Sequence, residues 1–449
     1  MAPELVVGAT PPWPRRVATP RRLPGALRAP TRGWPRPQRK SVPFSGLVLF
    51  TFVLFVAPQN LVPALEPFML AKLTVGFAAI GYLANRAATG RALTVMASPV
   101  RWALLLGGLA ILSIPAGFWP GGSVDTLLDV FGKSLVVFLL IANVVDTLER
   151  AKILIASMIV WGAFVAAWAL SNYAAGRVGP TGVRVAGYES SLAVNPNDLA
   201  LTLNILLGLA LGLLPILRRR WQRMLVVGAM ALFVAGIVVS FSRSGFVTLG
   251  VLGAVWAARG WRERGGRALI SIALVVLVIV AAVPAGYSDR LSTIVNTDED
   301  TTGSAAERWE TMSTAARYIV ERPILGYGLG NNMHVTVARG GLSREAHNAY
   351  LKLGAELGVA ALVVYVLFIA SSLSAARAVR RFFQRRGQGW ELGRLAGGVE
   401  LALVAFIVGA MFSPIPYHFY LYYPAGLAVA LFVIASRVPP PPARRPASA

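Results

Sequence analysis

The chain has 449 residues, 56% hydrophobic and 14% charged, with a mean hydropathy of +0.62. Soluble domains carry about 25% charged residues, so a set of water-soluble domains is excluded. The lack of cysteine excludes disulfide frameworks, thiolate catalysis and cysteine-ligated metal or iron–sulfur centres. A net charge of +23 on a soluble surface would suggest a nucleic-acid partner, but here its placement follows membrane topology.

Residues 1–43 are rich in Pro and Arg, with Glu4 as their only acid. They hold no apolar run and no cleavage site, so they read as a disordered basic cytoplasmic arm at the membrane surface, not a signal peptide or folded domain. From Phe44 onward apolar runs alternate with short polar breaks. A membrane-crossing helix needs about 20 largely apolar residues. Twelve spans are predicted, at 44–62, 67–85, 99–117, 130–146, 153–172, 198–216, 224–241, 245–258, 268–286, 349–372, 396–414 and 419–436. The fold class is an all-α integral membrane protein: nine spans in 44–286, a loop at 287–348, three spans in 349–436 and a cytoplasmic tail at 437–449.

Charge tests this arrangement. With both termini in the cytoplasm, 31 of the 43 Lys and Arg fall on the inner side, giving +25 there against −2 outside. Two outer loops are long, 173–197 and 287–348, and the second is large enough to fold as a small helical cap. Within it Ser304-Ala-Ala-Glu307 is a capping box, followed by a helical run whose Trp309, Met312 and Ala316 share a face. Pro323 ends that helix, and the glycines from Gly326 to Gly330 follow a helix rather than a strand, so they predict a tight turn and not a dinucleotide site.

Basic residues on the outer side are rare, and each asks for a reason. Arg243, in Phe241-Ser-Arg-Ser-Gly245, is either a snorkelling hairpin-tip arginine or an anion site at the membrane rim. Lys72 and Lys133 near outer span ends read first as snorkelling side chains. Arg308 and Arg184 carry little weight alone, and Asn195-Pro-Asn197-Asp198 reads as a turn and N-cap opening the sixth span. His347, in Ala346-His-Asn-Ala-Tyr350, stands where the cap meets the tenth span. It is either a boundary residue before an Asn348 N-cap or a general base, since histidine is the one side chain whose unperturbed pKa allows base work near neutrality. His334, Glu310 and His418 are the other candidates; His418 lies in an aromatic run resembling an interfacial belt. Asp298-Glu-Asp300 has the form of a metal-holding Asp-x-Asp, but sits between threonines in an acidic loop and reads as a solvated tip.

Taken in order, Asn195-Pro-Asn197, Ser242-Arg-Ser-Gly245, Glu307-Arg-Trp309, Pro323-Ile-Leu-Gly-Tyr-Gly328 and Ala346-His-Asn348 resemble the bacterial O-antigen ligase and O-antigen polymerase family. The resemblance covers roughly 44–436 and is strongest over 184–358. It implies a GT-C-like glycosyltransferase of the inner membrane, acting on the periplasmic side without a cofactor or metal. Such an enzyme takes a glycan from undecaprenyl pyrophosphate and passes it to a sugar hydroxyl on lipid A-core, or on a second lipid-linked repeat unit. By the same resemblance, Arg243 and Arg308 hold the pyrophosphate, His347 is the catalytic residue, and Arg184 and Asn197 match positions commonly shared before the sixth span; Arg184, Asn197, Asn348, Lys72 and Lys133 are taken as possible substrate-binding positions. A twelve-helix transporter is the rival from another class, weakened by the lack of clear similarity between the chain's halves and by its late, external large loop.

Overall fold

A computed structural model describes residues 41–177, 185, 192–193, 195–264, 304–341, 343–384 and 389–438. The basic arm up to Lys40, Arg184, the predicted ninth span and Asp298-Glu-Asp300 lie outside the described residues. Every regular element among the described residues is a helix: α1 Val42–Val56, α2 Pro63–Thr89, α3 Ser98–Ser113, α4 Pro120–Val144, α5 Leu148–Ala174, α6 Pro196–Ile216, α7 Arg220–Val239, α8 Arg243–Arg264, α9 Ser304–Glu321, α10 Asn332–Ala338, α11 Ala349–Gln384, α12 Trp390–Gly409 and α13 Phe419–Ser436. Eight of them (α2, α4, α5, α6, α7, α11, α12 and α13) are long and apolar enough to cross a membrane, and α1 and α3 are shorter apolar helices.

Helices dominate because hydrocarbon offers no partner for a backbone N–H or C=O, so each crossing segment must satisfy its own. Their starts are set by local chemistry. Ser41 caps α1, accepting from Phe44 N at 3.4 Å; Thr147 caps α5, accepting from Arg150 N at 3.2 Å; Asn195 caps α6, accepting from the amides of Asn197 and Asp198 at 3.0 and 2.9 Å. Their ends differ from the sequence expectation where backbone chemistry intervenes. The first run was expected to reach residue 62, but α1 stops at Val56, where Ala57 turns left-handed (φ 42°) and Pro58 follows. The fourth helix starts at Pro120 rather than 130, since proline in a first turn forfeits no intrahelical bond.

The bundle is organised around α13, which is almost wholly buried and packs against α4, α11 and α12. Against α12 lies α6, brought close by Gly208 and Gly212. A Cβ on Gly212 would stand 2.7 Å from Gly398 Cα, and one on Gly208 2.7 Å from Ala402 N. Small residues four apart let two backbones approach where lipid gives no hydrophobic drive for association. At the end formed by the C-termini of α8 and α11, Glu400 is buried and accepts from Arg259, Arg377 and Arg380 at 2.8, 2.8 and 2.6 Å. Part of the basic excess assigned to the inner side is thus tied to one carboxylate.

α11 is not one continuous helix. Gly358 (φ 83°, ψ 176°) breaks it, and the Pro323–Gly330 turn docks on the break. Val359 N donates to Pro323 O at 2.7 Å, Tyr327 N to Ala355 O at 3.0 Å, and Gly328 N to Glu356 O at 2.8 Å. The turn therefore supplies the partners that the interrupted ladder lacks. A Cβ on Gly358 would lie 2.4 Å from Ile324 O. Gly358→Ala should therefore destabilise the protein by more than about 1 kcal/mol, through both φ and contact. Gly228→Ala, in α7 with open space around it, should cause no loss. Thermal unfolding midpoints in detergent check the pair.

Candidate active site

The N-terminus of α6 and the hairpin between α7 and α8 meet at one end of the bundle. Ser242 Oγ donates to Asn197 Oδ1 at 2.7 Å, lies 2.9 Å from Ser244 Oγ, and accepts from Gly245 N at 3.2 Å. Asn204, further along α6, donates to Gly245 O at 3.1 Å. Phe241 takes a left-handed conformation (φ 51°), which lets the chain reverse within a few residues. Arg243 is thus the first residue of α8, set between two buried serines, of which Ser242 is bonded to α6 and Ser244 to Ser242.

The start of α11 is held as firmly. Asn348 caps it, accepting from the amides of Tyr350 and Leu351 at 2.9 and 3.0 Å and donating to Met411 O at 3.3 Å. Ala349 N donates to Ala410 O at 2.8 Å. His347, half-buried, precedes this pinned cap. Two residues before it, Glu345 pairs with the buried Lys352 at 2.7 Å, and Lys352 also reaches Pro414 O at 3.4 Å. Burial, and next the Lys352 ammonium, push His418 down to about 4 against the opposing pull of Glu345. His418 is therefore neutral and weakly basic at neutral pH. Glu345 also acts electrostatically on Asp198, so the starts of α6 and α11 share one local field.

The third contributor is α9. Arg344 forms an ion pair with Glu307, tying the strand of chain before His347 to the first turn of α9, next to the half-buried Arg308. Ala315 and Tyr318 of α9 pack with Tyr327, Val335, Ala346 and Ala355. Trp309, Met312 and Ala316 do share a side of this helix, but it is not the covered one: Trp309 is 75% exposed. Beneath, Glu356 is fully buried; it accepts from Tyr417 Oη at 2.7 Å and Asn332 N at 3.2 Å. Burial, and next the Glu356 carboxylate, hold the Tyr417 phenol well above its ordinary range.

Other candidates lie apart. Lys72 and Lys133 both pair with Asp129, at 3.2 and 2.9 Å, which joins α2 to α4 and accounts for both lysines structurally. His334 stacks edge-on against Trp119 with ring centroids 4.8 Å apart, in a cleft of about 400 Å³ lined also by Phe118, Met333 and Ser343. Glu310 is exposed on α9. Sequence reasoning passed over Glu345, Lys352 and Glu356. Lys352 and Glu356, four apart in an otherwise apolar span, carried the signal, because an ionisable residue in such a segment needs a partner.

These features define a helical protein with several membrane-spanning segments. Residues 228–366 match the family described as O-antigen ligase. This segment runs from α7 into α11 and contains Arg243, Arg308 and His347. No curated protein matches the chain.

The Asn197–Ser242 bond gives a direct check of the site's frame. In a double-mutant cycle of Asn197→Ala and Ser242→Ala, unfolding free energies should reveal a coupling of about 0.5–1.5 kcal/mol. Strict additivity would mean that the α6 start and the hairpin are not joined this way.

Proposed function

We propose that the protein is a glycosyltransferase of the O-antigen ligase type in the bacterial inner membrane, with both termini cytoplasmic and its active site at the periplasmic face. It transfers a glycan from undecaprenyl pyrophosphate to a sugar hydroxyl of lipid A-core. The observation that carries this reading is that Arg243, Arg308 and His347 all lie in the segment that matches the O-antigen ligase family, each beside a pinned pair: Ser242–Asn197 for the first, Glu307–Arg344 for the second, Asn348–Met411 for the third. The segment 287–348 is read as the cap above the twelve-span, GT-C-like bundle, and Asn197, Asn348 and Arg184 as positions that shape the substrate groove.

In this reading the acceptor oxygen attacks the anomeric carbon while the bond from that carbon to the diphosphate oxygen breaks. His347 takes the acceptor proton, and Arg243 and Arg308 stabilise the charge that grows on the leaving undecaprenyl pyrophosphate. Guanidinium forks suit this task because they bind phosphate oxygens in pairs and keep their charge near lipid. They thereby do the work of a divalent cation. A single displacement inverts the anomeric centre.

Removing a general base typically costs about 10²–10⁴-fold in rate, and removing a charge-stabilising donor about 10²–10³-fold. His347→Ala should lose transfer while donor affinity stays near wild type, whereas Arg243→Ala and Arg308→Ala should lose both, with poor rescue by lysine. Donor affinity and single-turnover rates in nanodiscs check the split. Near-normal turnover in His347→Ala would move the base to His334 or Glu310. A polymerase of the same family is the alternative, differing in acceptor. Deletion that removes long chains from lipopolysaccharide while polymer still accumulates on carrier lipid supports the ligase; a single repeat unit left on core supports the polymerase.

Activity should also survive EDTA, and Asp298→Asn with Asp300→Asn should leave it unchanged. Loss on chelation, restored by magnesium or manganese, would shift the diphosphate role to the acidic loop.

A further inference from the structure

The covered side of α9 faces α11, and its other side is apolar as well. At about 100° per residue, Trp309, Ala316 and Val320 fall within about 40° of one another. Trp309 and Val320 are 75% and 80% exposed. The buried Ala315 and Tyr318 lie on the opposite side, and Glu310, Arg317 and Glu321 form a charged flank between the two. A helix with an unburied apolar stripe beside a charged flank has the pattern of one lying in a membrane interface.

The stripe does not end with the helix. Ile324, 77% exposed, follows in the turn whose Pro323 carbonyl accepts from Val359 N at 2.7 Å. Val359 in turn begins the exposed strip of α11, continued by Val363, Val366 and Leu367. From Val359 to the residue before Arg377 the helix rises roughly 27 Å, close to the hydrocarbon thickness of about 30 Å. Val359 therefore stands about one hydrocarbon thickness from Arg377, and the neighbour of Ile324, Pro323, is hydrogen-bonded to it. The exposed Ile324 thus follows α9 in the chain and sits beside the residue bonded to Val359, where the exposed strip of α11 begins.

We infer that α9 is an interfacial helix whose Trp309, Ala316 and Val320, together with Ile324, are seated among the acyl chains of the bilayer at the level of its headgroups. Arg308 sits about 100° around the helix from Trp309, between the stripe and the covered side, and so at the depth of the lipid phosphates. This last consequence rests on the reading of Arg308 as a diphosphate ligand: a helix anchored in the interface would hold it level with a lipid-linked diphosphate.

The chain has no cysteine, so single-cysteine variants can be spin-labelled without background. Labels at Val320→Cys, Ile324→Cys and Trp309→Cys should, in nanodiscs of phosphatidylethanolamine and phosphatidylglycerol, collide several-fold more with oxygen than with a water-soluble nickel chelate. A label at Arg317→Cys, on the charged flank, should show the reverse. Chelate access at all four positions would overturn the inference by making α9 a solvent-facing helix. Shielding of the first three from both reagents would overturn it by showing that protein covers the stripe. Because the experiment needs no substrate, it reads the seat of α9 independently of whether the protein transfers a glycan.

Discussion

Much of the architecture at the site end hangs on the break in α11 at Gly358 and on the buried carboxylate beside it. A helix interrupted near lipid leaves backbone groups without partners, and such groups cost several kcal/mol each in hydrocarbon. Here the Pro323–Gly330 turn meets them, with Tyr327 N on Ala355 O, Gly328 N on Glu356 O and Pro323 O under Val359 N. The Glu356 side chain then draws in Asn332 N and Tyr417 Oη. One turn of α11 thus fixes the segment after α9, the start of α10 and the stretch before α13. Loops that would otherwise wander over the end of a helical bundle are held in place, and the end of α9 with them through the Tyr327–Glu321 bond.

In the proposed reading, Arg243, Arg308 and His347 are the groups that meet a charged, lipid-linked substrate. Arg243 comes from a hairpin bonded to α6, Arg308 from a helix leaning on α11, and His347 from a stretch tied to α9 through Arg344 and Glu307. The Glu345–Lys352 pair keeps a buried ammonium compensated by a carboxylate that itself reaches solvent.

The sequence made the local features legible and left the distant ones hidden. Apolar runs located the helices, and the caps at Asn195 and Asn348 could be read because an Asx side chain at a helix start has a distinct job. The tight turn after Pro323 and the Phe241–Gly245 hairpin were legible for the same reason. The break at Gly358 was not, since its cause lies some 30 residues away in the turn that docks on it. Nor could Lys72 be paired from sequence, because its carboxylate, Asp129, stands on another helix, where it also serves Lys133 at i,i+4 spacing. Spacing grouped Trp309 with Met312 and Ala316 but could not say which side of α9 would be covered. That depended on Tyr318 and Ala315 meeting the Tyr327 turn.

The central claim is that a carbon–oxygen bond to a lipid-linked diphosphate is broken at this site, and one measurement addresses it directly. Purified protein in sealed proteoliposomes would be given undecaprenyl-pyrophosphate-linked glycan, radiolabelled in the sugar, with lipid A-core as acceptor. The account predicts that labelled glycan appears on the acceptor in step with release of undecaprenyl pyrophosphate. Counterflow of an intact labelled solute across the membrane, with no diphosphate released, would contradict it and make the bundle a carrier.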